Sequence, residues 1–162
     1  MKRLQFAPRI PFRGAFMAVY LLTMLAVGII RTTLAAPAAE SEGQVESREV
    51  ALELAGGFKN DGYKIRDGHW SGRLQPGEPQ RVVVNLYAGN QYWFSVGATD
   101  KSKKVAVTVF DETGKQVEAE EFYQEAKRAA AGVSPVASGP FYVSVQLLEG
   151  EPTDFCLVYS YK

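Results

Sequence analysis

The chain has 162 residues, 46% hydrophobic and 22% charged, which is the length and make-up of one domain with a buried core. Its formal charge of zero hides a segregation: Lys2, Arg3, Arg9, Arg13 and Arg31 precede the first acidic residue, Glu40. The remainder carries a net charge of −5, thirteen basic residues against all 18 acidic ones. A mildly acidic domain has no attraction for phosphate backbones, which excludes nucleic acid as a partner.

In chain order, a basic start is followed by the apolar run AFMAVYLLTMLAVGII over residues 15–30 and by the small residues Ala35-Ala36-Pro37-Ala38. This is the pattern of a secretory signal peptide over 1–38. Sixteen apolar residues are fewer than the roughly 20 that span a bilayer as a permanent helix. Cleavage after Ala38 puts small side chains at both recognition positions; cleavage after Ala35, or an uncleaved anchor flanked by Arg31, are the alternatives. The expected location is the periplasm or the extracellular space, with membrane contact only transient, through the signal. With the single cysteine Cys156, the exported domain has no internal disulfide and stands on its core. Cys156 sits in an alternating apolar strand, the setting of a buried, inert thiol.

Residues 39–48 are small, polar and acidic and read as a flexible lead-in to a β domain over 49–162. A first strand is expected at 50–54 and a weak one at 69–74, separated by Gly56-Gly57 and Asn60-Asp61-Gly62. Three clear strands follow, with Val82, Val84 and Leu86, then Tyr92, Phe94 and Val96, then Val105, Val107 and Val109 at period two. After the turn Asp111-Glu112-Thr113-Gly114 comes a short strand near 116–117. Residues 118–131, rich in Glu, Gln, Lys and Ala, are expected to form a short helix or an irregular loop, with strands as the alternative. Phe141, Val143, Val145 and Leu147, then Phe155, Leu157, Tyr159 and Tyr161, mark two closing strands. Seven or eight short strands joined by turn residues predict an all-β, antiparallel, jelly-roll-like sandwich, with one possible short helix.

Chemistry is sparse. His69 is the only histidine, and no G-x-S-x-G elbow or zinc spacing accompanies it. No glycine-rich phosphate loop opens a helix, and Glu118, Glu120 and Glu121 read as a solvated face rather than a glycosidase pair. The expectation is therefore a protein that is not an enzyme and needs no cofactor; an unrecognised secreted hydrolase is the rival. Calcium is the one ion the turns suggest, with Asp61 and Asp111 as the acids that would serve it, although Asp in turns normally bonds its own backbone. For binding, the candidates are rings that alternation turns away from the core: Trp93, Tyr87 and Tyr142, together with Trp70. Such rings stack on sugars, as in a carbohydrate-binding module, or anchor a protein. Alternatively they lie under residues 118–134 as a second core layer.

The order of the pieces resembles the bacterial pre-peptidase C-terminal domain family. The resemblance rests on Leu86-Tyr87-Ala88-Gly89-Asn90-Gln91-Tyr92-Trp93-Phe94, on Val109-Phe110-Asp111-Glu112-Thr113-Gly114, on Ser138-Gly139-Pro140-Phe141-Tyr142-Val143-Ser144-Val145, and on the closing strand 155–161. It implies a jelly-roll β-sandwich that aids secretion or binds matrix or polysaccharide beside a secreted hydrolase. No catalytic domain stands beside it in this chain, so the expected role is binding or assembly in trans, toward an unknown protein or polysaccharide of the envelope or extracellular space.

Overall fold

The computed structural model describes residues 40–162, which fall within the unit Ala39–Lys162; the expected export signal lies outside the described residues. The first element is helix α1 (Glu42–Gly57). Ser41 caps it: its hydroxyl accepts from the Gln44 backbone N–H at 3.2 Å, and the Gln44 side chain accepts from the Ser41 N–H at 3.0 Å. This reciprocal capping box satisfies two of the donors a helix start leaves open. The helix ends at Gly56-Gly57 and passes into a 3-10 turn (Phe58–Asp61) closed by Gly62 at φ 89°.

α1 corrects two expectations, the flexible lead-in at 39–48 and the strand at 50–54. The reason is the helix's buried side. Gly43, Ser47, Ala51 and Ala55 recur every four residues, a stripe that contacts the sheet without looking hydrophobic.

Ten strands follow: β1 (Lys64–Ile65), β2 (Trp70–Leu74), β3 (Gln80–Leu86), β4 (Tyr92–Ala98), β5 (Ser102–Phe110), β6 (Gln116–Val117), β7 (Glu121–Gln124), β8 (Arg128–Val133), β9 (Gly139–Gly150) and β10 (Thr153–Tyr161). Every ladder is antiparallel. One sheet runs β1-β10-β4-β8-β7, with β2 on the same side of β10 as β1 and further along it; the other runs β3-β9-β5-β6. From β2 to β5, and again from β8 to β10, successive strands alternate between the sheets. That winding is a jelly roll, so the expected all-β sandwich is observed, with ten strands rather than seven or eight.

The inner faces meet in a core of Leu74, Leu86, Phe94, Val96, Val143, Val145, Leu147 and Leu157, all at or below 1% exposure. α1 lies on the outer face of the larger sheet, against β4 and β10, and encloses Ala51, Ala55, Cys156 and Val158. β4 is consequently buried on both faces along its whole length. At Gly97 a Cβ would stand 2.3 Å from the Ser47 carbonyl oxygen and 2.4 Å from the Ala51 nitrogen, so only glycine admits the helix this close. Arg128–Glu53 (2.8 Å) and Lys127–Glu46 (3.7 Å) tie the helix to the β8 side.

The 118–131 segment forms no helix. It makes β7 and the start of β8, with Phe122 opposite Ala131 and Tyr123 opposite Ala130. Ala129, Ala130 and Ala131 are all buried, in a strand that β4 and β7 flank, and that setting overrides the helix preference of alanine.

Candidate binding cleft

Where the β3 edge of the smaller sheet approaches the break between β1 and β2, a cleft of about 460 Å³ opens. Its floor is the end of the sandwich core. Tyr159 and Tyr161 point to the same side of β10, and the Tyr92 ring lies 6.2 Å from Tyr159 and 6.4 Å from Tyr161. Trp70 stacks on Tyr159 with centroids 5.9 Å apart and planes at 18°. Tyr87, 62% exposed, supplies a further ring, and Asn85 and Asn90 supply amides.

The turn that presents Tyr87 is held from below. Gly89 at φ 89° makes the reversal between β3 and β4, and the Tyr92 hydroxyl accepts from the Tyr87 N–H at 3.0 Å and from Asn90 Nδ2 at 3.1 Å. Tyr92 is 3% exposed, so these part-buried bonds tie the rim to a side chain of the core.

Among the described residues Arg66 is the one charged residue lining the cleft. Its backbone N–H donates to the Tyr159 carbonyl at 3.0 Å, its guanidinium donates to the Tyr159 hydroxyl, and its Cζ lies 5.3 Å from the centroid of that ring. The hydrogen bond to Tyr159 raises the Arg66 pKa above its ordinary value, so the group stays cationic. Among the described residues no carboxylate pairs with it, and a guanidinium has five donors to place.

Of the four rings expected from sequence, the fold brings Trp70 and Tyr87 together in this cleft. Trp93 lies elsewhere, under Phe58 of the 3-10 turn, with centroids 4.0 Å apart and planes at 9°, and it is buried. Alternation placed it correctly on the outer face of its sheet, but α1 and the turn behind it cover that face. Tyr142 is half-buried on the outer face of the smaller sheet, in a row with Val83 and Phe110. Arg66, Tyr92 and Tyr159 were not anticipated; the readable signal was the aromatic spacing at the end of the last strand.

The turn acids stand apart. Asp111 Oδ1 accepts from the Thr113 hydroxyl (2.6 Å), the Thr113 N–H (2.9 Å) and the Lys115 N–H (3.0 Å), and the Thr113 bond holds its pKa below the usual carboxylate range. Asp61 ends the 3-10 turn, where its carbonyl accepts from Lys162 Nζ at 3.2 Å. Among the described residues no three His, Cys, Asp or Glu side chains converge as a metal site. His69 Nε2 lies 3.7 Å from Glu40, which also pairs with Arg48. Burial pushes the Cys156 thiol pKa up, beneath α1. No protein-family model matches the chain, and no curated protein matches it.

Proposed function

We propose that this chain is an exported, non-catalytic binding or assembly module of the cell envelope or extracellular space, and that it binds through the cleft at Trp70, Tyr87 and Tyr159. The make-up of that cleft carries the reading: stacked rings and two amides surround one arginine, with no acid, histidine, serine or cysteine among the described residues of the lining. Hydrolysis needs a nucleophile with its base, or two carboxylates flanking one bond. Ring faces and a guanidinium supply affinity instead. We also read the domain as a relative of the pre-peptidase C-terminal domain family, on the segments that carry that resemblance. A carbohydrate ligand is favoured by one feature, the Trp70–Tyr159 stack beside Asn85 and Asn90, which suits a sugar's apolar face and its hydroxyls.

The test is co-sedimentation of the full chain, purified as the host processes it, with insoluble polysaccharides, peptidoglycan and envelope fractions. Pelleting that Trp70→Ala abolishes, and that Tyr142→Ala and EDTA leave intact, is the expected result. Loss with EDTA would transfer the binding to turn acids such as Asp61 and Asp111. Loss with Tyr142→Ala would transfer it to the outer sheet face. No pelleting in any fraction would refute matrix binding.

A further inference from the structure

Two sheets have four edges, and three of them are blunted here. β6 covers only Val109 and Phe110, and the β5 edge it leaves carries Lys103, Lys104 and two register shifts; β7 has four residues and starts at Glu121; the β1–β2 edge is interrupted between Ile65 and Trp70. Short, charged or broken edges are how sheets avoid pairing with other chains. β3 is different. It runs seven residues in unbroken register with β9, without proline or bulge, its one charge is Arg81 near its start, and its centre is Val82-Val83-Val84. Among the described residues its ladder is on one side only, so its alternate N–H and C=O groups point outward without a backbone partner there. Val83 is 57% exposed on this edge.

The unguarded edge borders the aromatic cleft, since Val83, Val84 and Asn85 line it. We propose that β3 and the cleft together receive an extended polypeptide strand from another molecule, one carrying an apolar side chain close to a carboxylate. Backbone pairing along β3 supplies the hydrogen bonds. Every second side chain of the added strand then points to one face, which places the apolar group over Trp70 and Tyr159. Arg66, cationic and without a carboxylate partner, supplies the countercharge at the cleft wall, and its planar fork suits a carboxylate. The inference rests on the cleft being the binding site and narrows its ligand to a peptide.

The experiment measures fluorescence anisotropy of labelled decapeptides with the processed full chain. The peptides alternate Val and Thr around a central Phe followed two residues later by Asp; a matched set carries Lys for Asp. Cello- and chito-oligosaccharides serve as competitors. The expected result is binding of the Asp peptide, with a loss of about tenfold on either the Lys exchange or Arg66→Gln. Two further peptides are N-methylated on alternate residues, one on the odd positions and one on the even. A strand added to β3 pairs through one edge only, so one methylated peptide should lose about tenfold or more and the other much less. This arm leaves the protein unaltered, so misfolding cannot mimic the result. Equal losses for both methylated peptides, no preference for Asp over Lys, or no peptide binding at millimolar concentration would each overturn the proposal. Oligosaccharide binding that Trp70→Ala abolishes, with no peptide binding, would sink the strand-addition inference and leave the binding cleft standing. No binding of either kind, here and in the sedimentation test, would remove both.

Discussion

At Gly97 the backbone of α1 lies against β4, and this contact gives a sharp test of how this domain is built. In Gly97→Ala the new methyl meets the Ser47 carbonyl oxygen at 2.3 Å and the Ala51 nitrogen at 2.4 Å. Both are backbone atoms of α1, so no rotamer change relieves the contact, and the helix itself must move. Overpacking of this kind costs about 1–3 kcal/mol, and an unyielding backbone puts the expected cost near the upper end. Lifting the helix off instead would expose Val50 and Val158, at about 1.5–3 kcal/mol for each fully buried valine, before any loss at Ala51 and Ala55. Displacement is therefore cheaper than detachment. The variant should unfold at lower urea, by about 2–3 kcal/mol, with an unchanged m-value. Cys156 should remain unreactive toward a thiol reagent in the native state, because the helix still covers it.

Gly56→Ala is the control. Nothing lies within 4 Å of its added Cβ, and it sits in the last turn of the same helix at negative φ. It should stabilise by up to about 0.5–1 kcal/mol, the helical preference of alanine over glycine. Opposite signs at the two glycines are the signature of a helix packed on β4. A neutral Gly97→Ala, or a thiol at Cys156 that reacts freely in the folded protein, would refute the three-layer arrangement.

Three other substitutions probe different contacts. Phe58→Ala removes the ring stacked on Trp93 and should cost about 1–2 kcal/mol, with a red shift and stronger acrylamide quenching of tryptophan emission; unaltered quenching would show that the stack does not shield Trp93. Tyr92→Phe deletes the hydroxyl that accepts from Tyr87 and Asn90; a loss of about 0.5–1.5 kcal/mol and weakened cleft binding should be seen by urea titration and anisotropy, whereas a neutral result would mean the rim is held otherwise. In Asp111→Asn, the charged acceptor of the β5–β6 turn is lost. Because the folded-state pKa of Asp111 lies below its unfolded value of about 3.9, the wild-type advantage is complete above that pH and disappears as pH falls through the folded pKa. Melting temperatures of the two proteins should thus differ at pH 7 and converge at the acid end; a constant difference would exclude the carboxylate as its source.

The parts of this fold that could be read in advance are those where one face is apolar and the other polar. Val82-Val84-Leu86 and Phe141-Val143-Val145-Leu147 announce their strands because alternation and burial coincide. The helix escaped notice because its contact stripe is Gly43, Ser47, Ala51 and Ala55, which are small rather than greasy; Ser41 and Gln44, three residues apart, were the available sign. β8 escaped for the same reason, since its alanines are chosen for room beneath neighbours and not for strand preference.

The cleft was half legible for a related cause. Period-two spacing tells which side of a strand a ring occupies, and it did so correctly for Trp93, but it says nothing about whether a later layer covers that side. A single helix, 16 residues long, decides the matter. By closing the outer face of the larger sheet, α1 turns Trp93 from a surface ring into core, and Phe58 just beyond its end completes the cover. A gap left open, with no helix of the described residues over it, lies between the two sheets beside β3, where Trp70 and Tyr87 converge on Tyr159. The location of the candidate site thus follows from the layer that the sequence displayed least, and Gly97, which admits that layer, is the residue on which the arrangement depends most.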